Sequence, residues 1–436
     1  MKGCSFVRKS TVAALSVAVL LGGLVTAAPT AAVASTTPSP PPANVVIDGV
    51  DGSTEPNGVK VYTLTDVNGI VIIRNSKNIV IRGANKAAPY SCRIAPNNPN
   101  ASAITLYNVQ NVTIERCEVR NAKQAIWADI QRNGVSASSS DITVRNNYMH
   151  NFTADAMQFK RYPGEFQYDF HRVRILDNHI AGWGQGNKDD YLFHGIYMKA
   201  GDALIEGNYF SDGWGGDAIT IRSAGTVRNN IINDVNDVGG ISYYAQVDSR
   251  GTSGNLVIEN NIVYTRATTD TARTKVATAT MNLGGIGGDP NASFDYLVPN
   301  TVVRFNTLAV LGPDGSNVTK TLYVDPGMAA QGKTNTVEVY GNLYVDTRTT
   351  PNFTYGSEFA DYYQFNLERA TTDGLVTDSQ DPRRQFRLTA AATDVIDQIR
   401  SVELGQHRIV RRDIDADRRA ARDRALLDYG ADEYVY

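Results

Sequence analysis

Seven short segments of the chain superimpose on one pattern: DITVRNNYM from Asp141, RVRILDNHI from Arg172, ALIEGNYF from Ala203, TVRNNII from Thr226, LVIENNIV from Leu256, NTVVRFNTLAV from Asn300 and TVEVYGNLYV from Thr336. Each is a β-branched run, then a polar or glycine corner, an asparagine and a second apolar run. Asn147, Asn178, Asn208, Asn230, Asn261, Asn306 and Asn342 fall at the same place. Such short apolar runs between Gly, Asn and Asp breakers indicate strands and tight corners, and no segment ahead of the C-terminal region shows sustained helical periodicity. An asparagine at a corner tolerates left-handed backbone angles, and its amide can bond the equivalent amide one coil above. A stack of this kind, repeating every ~22 to 45 residues with little helix, predicts an all-β fold, a right-handed single-stranded parallel β-helix.

Between successive asparagine corners lies a second strand: SAITLY, QAIWAD, DAMQFK, HGIYMK, DAITIR and GGISYY. Alternation predicts that Ile104, Ile126, Met157, Ile196, Ile219 and Ile241 face the core, as do Leu106, Ala128, Phe159, Met198, Ile221 and Tyr243. The opposite face then points to solvent, with Thr105, Trp127, Gln158, Tyr197, Thr220 and Ser242 in one column. Tyr107, Asp129, Lys160, Lys199, Arg222 and Tyr244 form the next.

The rest of the chain frames this solenoid. Lys2, Arg8 and Lys9 precede an alanine-rich apolar run ending at Ala34, the pattern of a secretory signal peptide over residues 1–34, followed by a Pro-rich linker over 35–44. The solenoid itself is expected over 45–376 and a capping segment over 377–436, whose clustered arginines alternate with acids as on a solvated surface and which is expected to close the far end of the coil stack. A secreted, extracellular, monomeric protein is expected. With 42 basic against 45 acidic residues there is no basic excess to suit a nucleic acid, and no membrane partner is expected once the signal is removed. Cys92 and Cys117 remain in an oxidising compartment, where one disulfide is open to them but is not fixed by sequence.

Lys160, Lys199 and Arg222 on adjacent coils would stand about 5 Å apart per step. Three like charges that close call for an anion. Structural ion pairs with Asp129, Asp189, Asp190 or Asp217 would answer for any single cation. A column of three beside Trp127, Tyr162 and Tyr197 fits a groove for an acidic polysaccharide better, since aromatic faces pack on sugar rings and cations pair with carboxylates.

The asparagine-cornered coils, the columns ending on Lys199 and Arg222 one coil apart, and the terminal DYGADEY resemble pectin-lyase-like solenoids. In particular they resemble the right-handed β-helix polysaccharide lyases of families six and thirty-one, which include alginate lyases. The coil pattern covers most of residues 45–436. The stretch YMKAGDALIEGNYFSDGWGGDAITIRSAG is similar to the family-six segment with its catalytic lysine and arginine, which places those roles on Lys199 and Arg222; Ser223 stands where that family has a histidine. Family thirty-one uses a tyrosine and a lysine, which carries over to Tyr162 in QFKRYPGEF and Lys199. The resemblance thus implies a lyase giving unsaturated uronate ends, with family thirty-one the better match.

The chemistry suits these residue types. Elimination across a uronate glycosidic bond removes the weakly acidic proton beside the carboxylate, so the carboxylate has to be neutralised to stabilise the enolate-like intermediate. Arg222, planar and permanently charged, suits that task. Lys199 and Tyr162 share the base and acid roles, in an order the residues leave open. Lys160, His194, Tyr197, Gln158 and Tyr244 are the expected substrate-binding residues, His194 also being a candidate structural corner. Asp155, Asp189, Asp190 and Asp217 offer oxygen ligands for Ca²⁺, but corner aspartates more often cap turns, and no metal ligand or certain cofactor is assigned. A uronan C5-epimerase is the alternative, since it shares the proton abstraction and KDDYLFHGI faintly resembles the alginate epimerases. A β-helix glycoside hydrolase, or a lyase acting on glucuronan or pectate, follows; hydrolysis would need carboxylates flanking the bond. A non-catalytic polysaccharide-binding solenoid would need the groove aromatics alone.

Overall fold

The computed structural model describes residues 44–84, 90–129, 138–159, 170–187, 192–233, 239–245, 254–266, 279–286, 300–312, 320–325, 328, 336–376, 386–396, 398–400 and 426–431. The expected signal peptide, Lys160, Tyr162, Asp189, Asp190 and most of the arginine-rich tail lie outside the described residues. Among those described, no helix is long and apolar enough to cross a membrane.

Each coil adds a strand to three parallel sheets. The first sheet starts at Val45–Asp48 and passes through Ser102–Tyr107, Gln124–Asp129, Met157–Phe159, Ile196–Met198, Ile219–Ile221, Ile241–Ala245, Met281–Ile286 and Leu322–Val324 to Thr354–Tyr355. The second runs from Lys60–Leu64 to Tyr362–Gln364, and the third from Asp66–Val67 to Leu367–Arg369. Strands one coil apart pair in parallel, for example Met157 with Ile196, Ile196 with Ile219 and Ile219 with Ile241. The chain is an all-β right-handed parallel β-helix, as the repeat predicts. Both expected inward columns of the first sheet, from Ile104 to Ile241 and from Leu106 to Tyr243, are fully buried.

The asparagines form a continuous internal ladder. Asn230 Oδ1 accepts from the backbone N and Nδ2 of Asn208, each at 3.0 Å, while its own Nδ2 donates to Ile205 O, Arg228 O and Asn261 Oδ1 at 2.9 to 3.0 Å. The amide-to-amide step recurs from Asn147, Asn178, Asn261, Asn306 and Asn342 to the next asparagine, with Asn366 extending the ladder by one coil. One detail differs from expectation. The left-handed residue is the one before each ladder asparagine: Asn146, Asp177, Gly207, Asn229, Asn260, Phe305 and Gly341 have φ between 52° and 70°. The ladder residue keeps its side chain inside, so the sharp bend falls to the residue before it. Phe305, and Phe365 ahead of Asn366 at φ 51°, are the unusual members, since a bulky residue is rarely found there; Phe305 is held by packing on Tyr340, Ile399 and Leu427.

On the outside of the second sheet, charges alternate along one column. Arg82, Glu115 and Arg145 occupy successive coils, and Glu206, Arg228, Glu259 and Arg304 occupy four more. Arg145 donates to Glu115 at 2.6 Å, Arg228 approaches Glu206 at 3.0 Å, and Arg304 donates to Glu259 at 2.6 Å. The Arg304–Glu259 pair is nearly enclosed, with Arg304 also donating to Tyr340 Oη at 3.1 Å. Glu259→Gln is expected to lower stability by about 2 kcal/mol, the scale of hydrogen bonds to a charged group, with a parallel fall in the denaturant midpoint; an unchanged midpoint would show the pair to be neutral.

The described residues of the C-terminal segment lie beside the third sheet. Leu375, Phe386, Leu388, Ala392, Val395, Ile396 and Ala431 pack sideways on the outer face of the third sheet, against Ile231, Ile262, Tyr264, Ala309, Leu343 and Val345. Strands buried on both faces read as continuous apolar runs, which explains why IVYT, TLAVL and LYV in the later coils lack the polar alternation of YMHNF in an earlier one. Cys92 and Cys117 are direct register partners, both buried and both free thiols. Burial pushes the Cys117 thiol well above its ordinary value.

Burial also raises the phenols of Tyr243, Tyr244, Tyr340, Tyr344 and Tyr363. Folding therefore favours their protonated forms. That stability is complete below the unfolded tyrosine value of about 10 and is lost as pH rises towards the folded values, because the unfolded chain ionises first. A tyrosinate absorbance titration should show these phenols ionising only together with alkaline unfolding; smooth titration near the ordinary value in the folded state would contradict it.

Candidate active site on the outer face of the first sheet

Alternation along HGIYMK buries Ile196 and Met198 and leaves Tyr197 and Lys199 on the outer face. The strand Ile219–Ile221 lies in register beside it. The Lys199 amide donates to Phe159 O at 3.0 Å and the Arg222 amide to Met198 O at 2.9 Å, so parallel pairing continues one residue past both strands. Lys199 and Arg222 are thereby fixed one coil apart, as expected from sequence.

Their side chains gather around two tyrosines. The Arg222 guanidinium lies 4.9 Å from the Tyr244 ring centroid and 5.5 Å from that of Tyr197, and Lys199 Nζ lies 5.7 Å from Tyr197. Arg222 Nη1 donates to Tyr244 O at 3.4 Å. Its buried Nε has no hydrogen-bond partner among the described residues. A guanidinium held between ring faces keeps its fork oriented while its charge stays unneutralised by a carboxylate in any described ion pair, and such a group is suited to receive an anion.

The column beneath these side chains is less open than alternation suggests. Thr220 and Ser242 are fully buried, where solvent exposure was expected. Arg222 spans the two rings on either side of Thr220, and Tyr244 leans across so that its hydroxyl accepts from Asn282 Nδ2 at 2.7 Å. Long side chains of one column have folded over the short polar ones of the next. Burial holds the Tyr244 phenol protonated, with nearby Asp217 adding to the effect.

His194 occupies the corner two residues before the strand, where Gln124 and Asp155 stand in earlier coils. It is nearly enclosed, at 5% exposure. Asp155 Oδ1 accepts from the His194 amide at 2.7 Å and faces its Nδ1 at 3.2 Å. The chain of polar contacts continues outward from there: Gln124 Nε2 lies 3.4 Å from Asp155 Oδ2 and 3.2 Å from Gln158 Oε1, and Ser102 Oγ donates to Gln124 Oε1 at 3.0 Å. His194 thus acts first as a corner residue, with its ring 5.2 Å from Tyr197, and Gln158 is tied to the same network. Lys199, Arg222, Tyr197, Tyr244, His194 and Gln158 come together on one face; Lys160 and Tyr162 lie outside the described residues.

Of the aspartates considered for Ca²⁺, the two described ones are engaged otherwise. Asp155 holds His194, and Asp217 accepts from Thr220 Oγ1 at 3.3 Å. No group of three or more His, Cys, Asp or Glu side chains suited to a metal occurs among the described residues.

One cluster was missed in the sequence. KTLYVD at 320–325 repeats the DAITIR pattern and continues the first sheet two coils beyond GGISYY. It places Tyr323 outward, stacked on Tyr355 of the last strand, with Lys320 beside both rings.

No protein-family model matches the chain, and no curated protein matches it either. Among solved structures, pectate lyase Pel9A aligns at 13% identity over 90% of this chain and 86% of that one, with a TM-score of 0.44. The A-module of the Azotobacter vinelandii mannuronan C-5 epimerase AlgE6 aligns at 17% identity over 75% of this chain and 89% of its own, with a TM-score of 0.35. A complex of XylC with xylose aligns at 12% identity over 86% and 67%, with a TM-score of 0.43. At these TM-scores no residue correspondence follows.

Proposed function

We propose that the protein is a secreted polysaccharide lyase that cleaves a uronate polysaccharide, alginate in the first instance, by β-elimination. The observation that carries this reading is Arg222, a guanidinium braced by two tyrosine rings one coil from Lys199, with a buried N–H left unmatched. Arg222 would pair with the uronate carboxylate and stabilise the enolate-like charge that develops as the C5 proton leaves. Lys199 as the neutral amine, or Tyr162 as the phenolate, takes that proton. The electron pair forms the C4–C5 double bond and expels the C4 oxygen, which takes its proton from the other member of the pair. Tyr197 supplies a ring face, and Tyr244, kept protonated, fixes the guanidinium through its backbone carbonyl.

The test is incubation of the full chain with alginate, its mannuronate-rich and guluronate-rich fractions, glucuronan and pectate, following the ultraviolet absorbance of the unsaturated product. Absorbance on alginate supports the proposal, and absorbance on another uronan alone moves it to that substrate. Reducing ends without unsaturation would replace it with hydrolysis, and altered uronate composition without cleavage with C5-epimerisation.

A further inference from the structure

The first sheet carries a second aromatic and cationic cluster, three coils beyond Arg222. Tyr323 belongs to the same outward column as Tyr197, through Thr220, Ser242 and Asn282. Its ring stacks on that of Tyr355, with centroids 5.2 Å apart and planes within 5°. Lys320 Nζ lies 4.8 Å from the Tyr355 centroid and 5.8 Å from that of Tyr323.

Lys320 and His194 hold equivalent corners. Each stands two residues before the first inward residue of its strand, Leu322 or Ile196, and three before the outward tyrosine, and each side chain approaches that tyrosine. The arrangement at the candidate active site is thus repeated with a lysine in the corner.

Packing alone does not account for it. Rings that serve only the core are covered, as Tyr344 is beneath the third sheet. Tyr355 is 47% exposed, and among the described residues no strand follows it in the sheet, so its far ring face is not covered by another rung. The Tyr323 hydroxyl donates to Asp325 Oδ2 at 3.5 Å, which orients the ring.

We infer that Lys320, Tyr323 and Tyr355 form a distal subsite that holds a uronate unit of the same substrate chain bound at Arg222. The inference rests on the lyase reading for the nature of the substrate. At about 4.8 Å per coil the strands of Arg222 and Tyr323 are roughly 14 Å apart along the axis, a span of several sugar units. An exposed tyrosine face packs on a pyranose ring, and the lysine pairs with its carboxylate. The polysaccharide therefore lies along the solenoid axis, across the coils.

Tyr355→Ala, Lys320→Ala and Lys320→Arg, each confirmed to melt with the unmodified protein, test this in two ways. In steady-state kinetics on a cleaved uronan, the two alanine variants should raise KM for long chains by about threefold to tenfold, the worth of one aromatic contact. kcat should not change, nor should KM for oligomers too short to span both sites, and Lys320→Arg should recover the long-chain KM. Equal KM in all proteins, or equal effects on long and short chains, would overturn the inference. The second readout is mobility in gels containing alginate, pectate or neutral xylan, which needs no catalysis. Retardation by a uronan that is lost in Tyr355→Ala keeps the subsite even if no cleavage is found. No retardation of the unmodified protein, or retardation equal in the variants, overturns it while leaving any observed elimination intact.

Discussion

Arg222→Ala should lower kcat on the cleaved uronan by about 10²–10³-fold, the range found when one donor aimed at developing negative charge is removed. Tyr197 and Tyr244 hold the guanidinium by its faces, so it is oriented before substrate arrives and its reorganisation cost in the reaction is small. Arg222→Lys should recover only part of the loss, because an ammonium offers a point charge without the planar fork. The stability change should be near 1 kcal/mol, the scale of the lost cation–π contacts. A fall in kcat below about tenfold would remove Arg222 from the reaction and leave it a groove-lining residue.

Asn230→Ala is expected to cost roughly 3–5 kcal/mol, because it strands several buried groups at once. Asn208 loses the acceptor for both its backbone N and its Nδ2, and Ile205 O, Arg228 O and Asn261 Oδ1 each lose a donor. The ladder is interrupted in mid-solenoid, so calorimetry should show a lower melting temperature and less cooperative unfolding, with the two halves beginning to separate. Asn366→Ala, at the ladder's end, should cost less than half as much. Equal losses at the two positions would mean that the stack acts as independent pairs.

Much of this was legible in the sequence, for a physical reason. The coil repeat forces equivalent residues into columns, so aligning NNYM with DNHI and GNYF is already a statement about contact in space. Asn147 to Asn342, the inward isoleucines and the Lys199–Arg222 step all followed from that. What alternation could not supply is how long side chains lie down. Tyr244 and Arg222 fold over Thr220 and Ser242 and bury a column that strand periodicity puts in solvent. The charge column Arg82–Glu115–Arg145 was present in the aligned coils as alternating signs at one position, but in single segments it reads as isolated charges facing water. The lateral packing of the tail was signalled by doubly apolar strands such as TLAVL, whose outer residues need a cover. The left-handed position one residue ahead of each ladder asparagine is marked by Asn, Asp or Gly in most coils, and that mark is lost where Phe305 occupies it.

The central claim is that the face around Lys199 and Arg222 breaks a uronate chain by elimination, and the mass balance of a single cut tests it most directly. A uronan oligomer of defined length is digested to two fragments and both are weighed by mass spectrometry. Elimination adds nothing, so the fragment masses should sum to that of the parent, with the unsaturated end on one of them. A sum greater by one water would mean hydrolysis, and would contradict the account.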